Sequence, residues 1–142
     1  MSMFKIFDVS GSGMAAQSLR LNTVASNLAN ADSVSSTPEG AYRAKEPLFS
    51  AVQRAMGGAK SADADSAVGV QVKGVTESEA DVQARYEPGN PMADDTGYVY
   101  GSNVNPIDEL VNMITASRSY QNNVEAMNTT KQLMLKTLDL GK

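Results

Sequence analysis

Apolar residues recur every seven positions near both ends of this chain, whereas in the middle they alternate with polar ones. Toward the C-terminus, Met113, Tyr120, Met127 and Met134 form one row, and Leu110, Ser117, Val124, Lys131 and Leu138 form the row beside it. Adjacent rows at this spacing predict a helix with a coiled-coil-like seam, loosened where Ser117 and Lys131 interrupt it. Its start is marked by Asn105 as N-cap, Pro106 at the first helical position, and Asp108 and Glu109 complementing the N-terminal dipole. Neither Gly nor Pro interrupts 107–138 and Gly141 follows, so the element should extend about 48 Å. A second apolar strip, Ile107, Val111 and Ile114, implies that the start of this helix meets more than one neighbour.

The N-terminal row is Phe7, Met14, Leu21 and Leu28, accompanied by Val24, Ala25 and Ala31. Around it sit Ser18, Asn22, Thr23, Ser26, Asn27 and Asn30, polar but uncharged. A solvated helix face normally carries Glu and Lys. Short uncharged side chains instead suit close packing against other helices, with amides bonding between them. Leu21 and Leu28 are expected on the Met113, Tyr120, Met127 and Met134 row, within one subunit or against the next. Asn27 lies too far inside to end the helix, and its amide is expected to meet a partner in a neighbouring helix. Asn30 either does the same or ends the helix, since Asn tolerates the left-handed conformation. Gly11 and Gly13 weaken the early turns by about 1 kcal/mol each relative to Ala.

Between the helices, residues 57–66 read as a mobile loop of Gly, Ala, Ser, Lys and Asp. Val68, Val70 and Val72 alternate with smaller or polar residues, as do Ala80, Val82, Ala84 and Tyr86, suggesting two short antiparallel strands. Glu87-Pro88-Gly89-Asn90-Pro91 must turn, and Tyr98-Val99-Tyr100 offers a third brief strand. The expected fold is therefore mainly α: long helices within 1–33 and 105–142 pack as a coiled-coil-like pair, and 34–104 is a loop insert with a small β-hairpin.

Composition narrows the function. At 142 residues, one domain or two small subdomains is the expectation, which excludes a large multidomain enzyme. The chain contains no Cys, His or Trp. That removes disulfides, thiolates, imidazole bases and the nucleophilic triads, and leaves only carboxylates for a zinc site. No cofactor is expected. The net charge is −4 and the 12 cations never form a run, so a nucleic-acid partner is not expected. Apolar residues make up 42% of the chain, with only five Tyr and three Phe, which favours an extended or assembly-dependent shape over a compact globule. The beginning lacks the apolar run of a Sec signal peptide, and the Ser, Asn, Gln and Thr content of 10–31 argues against a membrane span. Taken alone, this would place the chain in the cytoplasm.

Few motifs carry chemistry. Gly11-Ser12-Gly13-Met14-Ala15-Ala16 fits G-x-G-x-x-G/A, with Asp32 near the distance of a ribose contact. Lys5 and Asp8 do not suit a preceding core strand, however, and 33–41 is not a second one. Glycines that loosen a helix or admit a neighbour explain the motif better. Glu77, Glu79 and Asp81 would share one face of an extended chain, a solvated face before it is a calcium site. Asp94-Asp95-Thr96-Gly97 is a turn before it is a metal site. Arg118 either pairs with an acid on a neighbouring subunit or is solvated or paired within its own chain. The methionines are adaptable packing.

Two stretches together carry a family resemblance. Leu21-Asn22-Thr23-Val24-Ala25-Ser26-Asn27-Leu28-Ala29-Asn30-Ala31-Asp32-Ser33 resembles the A-S-N-L-A-N-type run that closes the first helix of flagellar rod and hook proteins. Tyr86-Glu87-Pro88-Gly89-Asn90-Pro91, Gly97-Tyr98-Val99, Asn103-Val104-Asn105-Pro106, Glu109–Ile114 and Ala116–Glu125 are similar to basal-body rod members of that family. The resemblance spans nearly the whole chain; Asn90 departs from it, standing where many relatives carry His. It implies an axial protein without catalytic activity, whose terminal helices form an inner domain around an export channel, in the shaft that crosses the periplasm. The implied partners are other flagellar rod proteins, copies of the chain itself, the adjoining basal-body ring and adaptor proteins, and the flagellar type III export apparatus, which needs no Sec signal. The implied helix and subunit interface comprises Met14, Leu21, Val24, Asn27, Leu28 and Asn30 from the first helix. From the second it takes Leu110, Met113, Ile114, Arg118, Tyr120, Val124, Met127, Met134 and Leu138. The other readings of the same residues are a soluble helical adaptor and a small dinucleotide-binding protein.

Overall fold

A computed structural model describes residues 3–53 and 68–141. The loop read at 57–66 lies outside them. Two long helices bracket the chain: α1 (Met3–Ala29) and α2 (Pro106–Leu140), of 27 and 35 residues. They span about 40 and 52 Å. The signals expected at the start of α2 are all used. Asn105 Oδ1 accepts from the Ile107 N–H at 3.1 Å, Asn105 Nδ2 donates to Asp108 Oδ2 at 2.8 Å, and Asp108 and Glu109 occupy the first turn. The helix stops at Gly141, whose N–H donates to the Leu138 carbonyl, with an ordinary φ of −92°.

The two helices run antiparallel. Ser102 Oγ, just before α2, donates to the Ala31 carbonyl just after α1 at 2.6 Å, and Gly13 faces Asn123 farther along. A Cβ on Gly13 would lie 2.9 Å from Asn123 Nδ2, so this glycine is where a side chain of α2 comes up to the backbone of α1. Gly11, by contrast, has open space around it.

The mainly α expectation with a small hairpin insert does not hold. Among the described residues five strands occupy the middle: β1 (Val34–Ser35), β2 (Lys45–Gln53), β3 (Val68–Glu77), β4 (Gln83–Tyr86) and β5 (Tyr98–Gly101). They form two antiparallel sheets, a ribbon of β2 and β3 and a three-stranded sheet ordered β1-β5-β4. The valine-rich strand and the strand ending at Tyr86 are therefore not partners. β3 pairs with β2 from Lys45↔Glu77 to Gln53↔Val68, with a bulge at Leu48/Phe49, and β4 pairs with β5.

The ribbon lies along α1. Its base is held by Asn27, its middle by Arg20, whose guanidinium sits 5.3 Å from the Phe49 ring centroid, and its far end by Ser12, whose hydroxyl accepts from the Val70 N–H at 3.1 Å. Asn103 joins the two sheets, accepting from the Ala44 N–H at 2.7 Å and donating to the Ala80 carbonyl at 2.9 Å. Arg43 Nη1 donates to the carbonyls of Ser78 and Ala80.

Small residues fill the interior. The buried apolar side chains among the described residues are Ala16, Val24, Ala41, Val99, Val104 and Ala116. Burying a valine contributes about 1.5–3 kcal/mol, so this is a thin core for a chain of such extent. The buried hydroxyls of Thr23 and Thr130 return to their own helix, donating to the Leu19 and Ala126 carbonyls at 2.9 and 2.8 Å.

Candidate subunit interface

Asn27 is the most constrained polar group. It is 1% exposed, and its amide spans both backbone groups of Lys45: Oδ1 accepts from the N–H at 2.8 Å, and Nδ2 donates to the C=O at 3.0 Å. The Tyr42 hydroxyl adds a third bond to Oδ1 at 3.1 Å and lies 3.1 Å from Ser26 Oγ. The side chain of α1 thus does for the first residue of β2 what a further strand would do. The amide expected to bridge to a neighbouring helix is spent on a strand of the same chain.

Asn30 ends α1, but not through a left-handed residue, since no described non-glycine residue has positive φ. Its N–H donates to the Asn27 carbonyl at 3.2 Å, its Nδ2 donates to the Ser26 carbonyl at 2.8 Å, and its own carbonyl accepts from the Ser33 N–H and hydroxyl.

The remaining expected interface residues divide by face. On α1, Met14, Leu21 and Leu28 are half-buried and Val24 is 4% exposed. On α2, Met113, Val124, Met127 and Met134 are half-buried, with Tyr120 at the margin. Leu110, Ile114, Arg118 and Leu138 are exposed. Ile107, Val111 and Ile114, on the side turned from α1, are 71, 58 and 55% exposed. The last turns expose Leu133, Leu135, Leu138 and Leu140 as well. Both helix ends therefore carry aliphatic surface that no described element of the chain covers.

The second motif is a built turn. Tyr86 and Tyr98 meet edge to face, with centroids 5.2 Å apart. Gly97 between them needs φ +85°, and a Cβ there would come 2.9 Å from Tyr86 Cε2. Asn90 Nδ2 donates to Glu87 Oε2 at 2.9 Å, and its Oδ1 accepts from the Met92 N–H at 3.0 Å. Asp94 Oδ1 gathers the Thr96 N–H, the Thr96 hydroxyl and the Tyr98 N–H at 2.7–2.9 Å. The Thr96 hydroxyl first, and then the Tyr98 N–H, hold this carboxyl below its ordinary value of 3.8. Partial burial, followed by the Asp94 charge, raises the Tyr100 hydroxyl above its ordinary value of 10.0.

The other motifs lose their geometry. Gly11–Ala16 lies inside α1, where backbone N–H groups bond along the helix rather than face a ligand. Glu77, Glu79 and Asp81 are exposed, and no three acidic side chains converge among the described residues. Asn22, Thr23, Ser26, Lys45, Val75 and Glu77 line a wide, open groove of ≈ 410 Å³ beside the ribbon. It holds one cation and one carboxylate on adjacent strands and presents no nucleophile paired with a base. No described helix is long and apolar enough to cross a membrane. Reading the residues alone missed Ser12, Tyr42, Lys45 and Asn103 as joints, because their partners lie far away in sequence: Ser12 and Asn103 bond distant backbone, Lys45 offers its own backbone to Asn27, and Tyr42 reaches the side chains of Ser26 and Asn27.

Comparison with known proteins assigns both motif regions. Residues 7–35 match the family model described as "Flagella basal body rod protein", and residues 95–140 match "Flagellar basal body rod FlgEFG protein C-terminal". Flagellar basal-body rod protein FlgC of Salmonella typhimurium is 51% identical over 142 residues, covering all of both chains. The protein of that name from Escherichia coli O157:H7 matches equally, and that of Aquifex aeolicus is 40% identical over 144 residues. Two helical ends matched to rod models, and half the residues shared over the full length, mean that this chain belongs to the FlgC family of flagellar basal-body rod proteins, structural components of the flagellum.

Proposed function

We propose that the chain is an axial, non-catalytic subunit of the rod. Its α1/α2 pair forms an inner domain that joins the helices of other rod proteins and of its own copies around an export channel. The sheets of 34–104 form an outer part facing the adjoining ring and adaptor proteins. In this reading the chain leaves the cytoplasm through the flagellar type III apparatus and works in the part of the rod that crosses the periplasm.

The observation that carries the reading is the uncovered aliphatic row of Ile107, Val111 and Ile114, each more than half exposed on a helix capped and positioned by its own chain. Leaving such a row in water is unfavourable by roughly 25 cal/mol per Å² of apolar surface, and assembly removes the penalty. The thin core points the same way, because the described residues bury three valines and three alanines and leave longer aliphatic side chains on α2 exposed for neighbours.

The test is complementation of a strain lacking the chain. Wild-type protein restores swimming and is found in isolated basal bodies; Ile114→Asp is exported but absent from them, and the cells do not swim. Normal swimming without the chain, or full function of both Ile107→Asp and Ile114→Asp, overturns the reading.

A further inference from the structure

We infer that the uncovered row of α2 docks antiparallel onto the exposed face of α1 in a second copy of this chain, in one defined register. The inference rests on the assembly reading above and names the partner of that surface. Ile107, Val111, Ile114 and Arg118 recur at spacings of four, three and four, which places them on one side of α2. On α1, exposed Ser18, Ala15 and Asp8 share a row with half-buried Gly11, and read backwards the four recur at three, four and three. Both rows are about 15–16 Å long.

The two rows complement each other in shape and in charge. Branched aliphatic side chains on α2 would stand over Ser18, Ala15 and Gly11, and the open space around Gly11 lets the backbones approach closely. At the end of the match Arg118 meets Asp8. Both are exposed, and among the described residues neither has a hydrogen-bond or ion-pair partner. Arg118 is also the only charge between Glu109 and Glu125, so the pair marks one register rather than several.

Direction favours a second copy as the occupant. Within the chain α1 and α2 are antiparallel, so a neighbour that keeps the same orientation presents its α1 antiparallel to this α2. The Gly13–Asn123 contact puts Ile114 level with Asn22 in its own chain. Docking puts it level with Gly11 of the second copy, displaced about 16 Å along the helices. The two patches differ, so each copy keeps one of each free and the contact repeats without closing.

The absence of cysteine makes the test direct. A strain makes two versions of the chain, Ala15→Cys and Val111→Cys, and isolated basal bodies are oxidised. A disulfide needs Cα atoms within about 7 Å, so a species of doubled mass is expected. Ala25→Cys replaces Ala15→Cys as control. It is also exposed but about 15 Å along α1, and should give none. In parallel, Arg118→Asp lowers incorporation several-fold and Asp8→Arg in the same chain restores it. Basal bodies that hold both versions but give no doubled species, or give it equally with Ala25→Cys, overturn the pairing, and another rod protein then covers the row. An unaffected Arg118→Asp strain, or failure of the double reversal to restore incorporation, does the same. Basal bodies that lack the wild-type chain altogether refute the assembly reading, and the pairing falls with it.

Discussion

Asn27→Leu keeps nearly the same side-chain volume and removes every bond the amide makes. The Lys45 N–H and C=O then both lose their partner, and Tyr42 keeps only its approach to Ser26. A buried backbone group without a partner costs about 1–3 kcal/mol, so the two together amount to roughly 2–6 kcal/mol. Lys45 is half-buried, so water recovers part of that, and the leucine methyl groups return some by burial. The expected loss is about 2–3 kcal/mol. Urea unfolding followed by far-UV circular dichroism reads it as a midpoint lowered by about 1–2 M with an unchanged slope. Ser26→Ala, which leaves the Lys45 bonds intact, should shift the midpoint less than half as far. Amide exchange gives the local readout, since the Lys45 N–H should exchange faster in Asn27→Leu and not in Ser26→Ala. A change within about 0.5 kcal/mol, the range of an ordinary surface substitution, together with unaltered exchange at Lys45, would refute the argument.

Gly97→Ala forces a side chain into positive φ and against Tyr86, so stability should drop by at least about 1–2 kcal/mol, with loss of the tyrosine near-UV signal; an unchanged melting temperature contradicts this. Gly11→Ala sits mid-helix with open space around it and should stabilise the isolated chain by about 0.5–1 kcal/mol in the same melt, and a loss instead would show that the space is not free. Asp94 titrates below its ordinary value in the folded chain, so its contribution to the turn is fully present above 3.8 and is lost as pH falls through the depressed value. The Thr96 and Tyr98 amide resonances should therefore move together in that acid window, and in Asp94→Asn they should not.

The helices were legible because their signals are local. Asn105-Pro106 caps α2, and the Phe7-Met14-Leu21-Leu28 row and the methionines Met113, Met127 and Met134 are half-buried, so periodicity and end chemistry together placed the helices. β3 and β5 were also legible, through Val68-Val70-Val72 and Tyr98-Val99-Tyr100. β2 was not. It opens with Lys45 and Glu46, contains Pro47, and passes a bulge at Leu48/Phe49 that breaks the alternation a strand normally shows. With β2 unseen, the strand ending at Tyr86 stood as the visible partner of β3, and the middle of the chain read as a small hairpin. The same gap hid the role of Asn27. Its place among uncharged polar residues inside a helix marks its amide as a packed group, but its partner is the backbone of Lys45, and backbone groups leave no mark in a sequence. The exposed strip at Ile107, Val111 and Ile114 was legible as a surface in excess of one neighbour, though not which neighbour.

The ribbon of β2 and β3 is fastened to α1 at Ser12, Arg20 and Asn27, points spread over about 22 Å of helix. A lever pinned once can swivel about its pin; one pinned at three places along its length cannot. A sideways force on the ribbon is therefore carried into α1 as bending and twisting of the helix itself. For a structural component of a rod, that converts a soft joint into a stiff one: a load placed on the ribbon reaches α1 without slack.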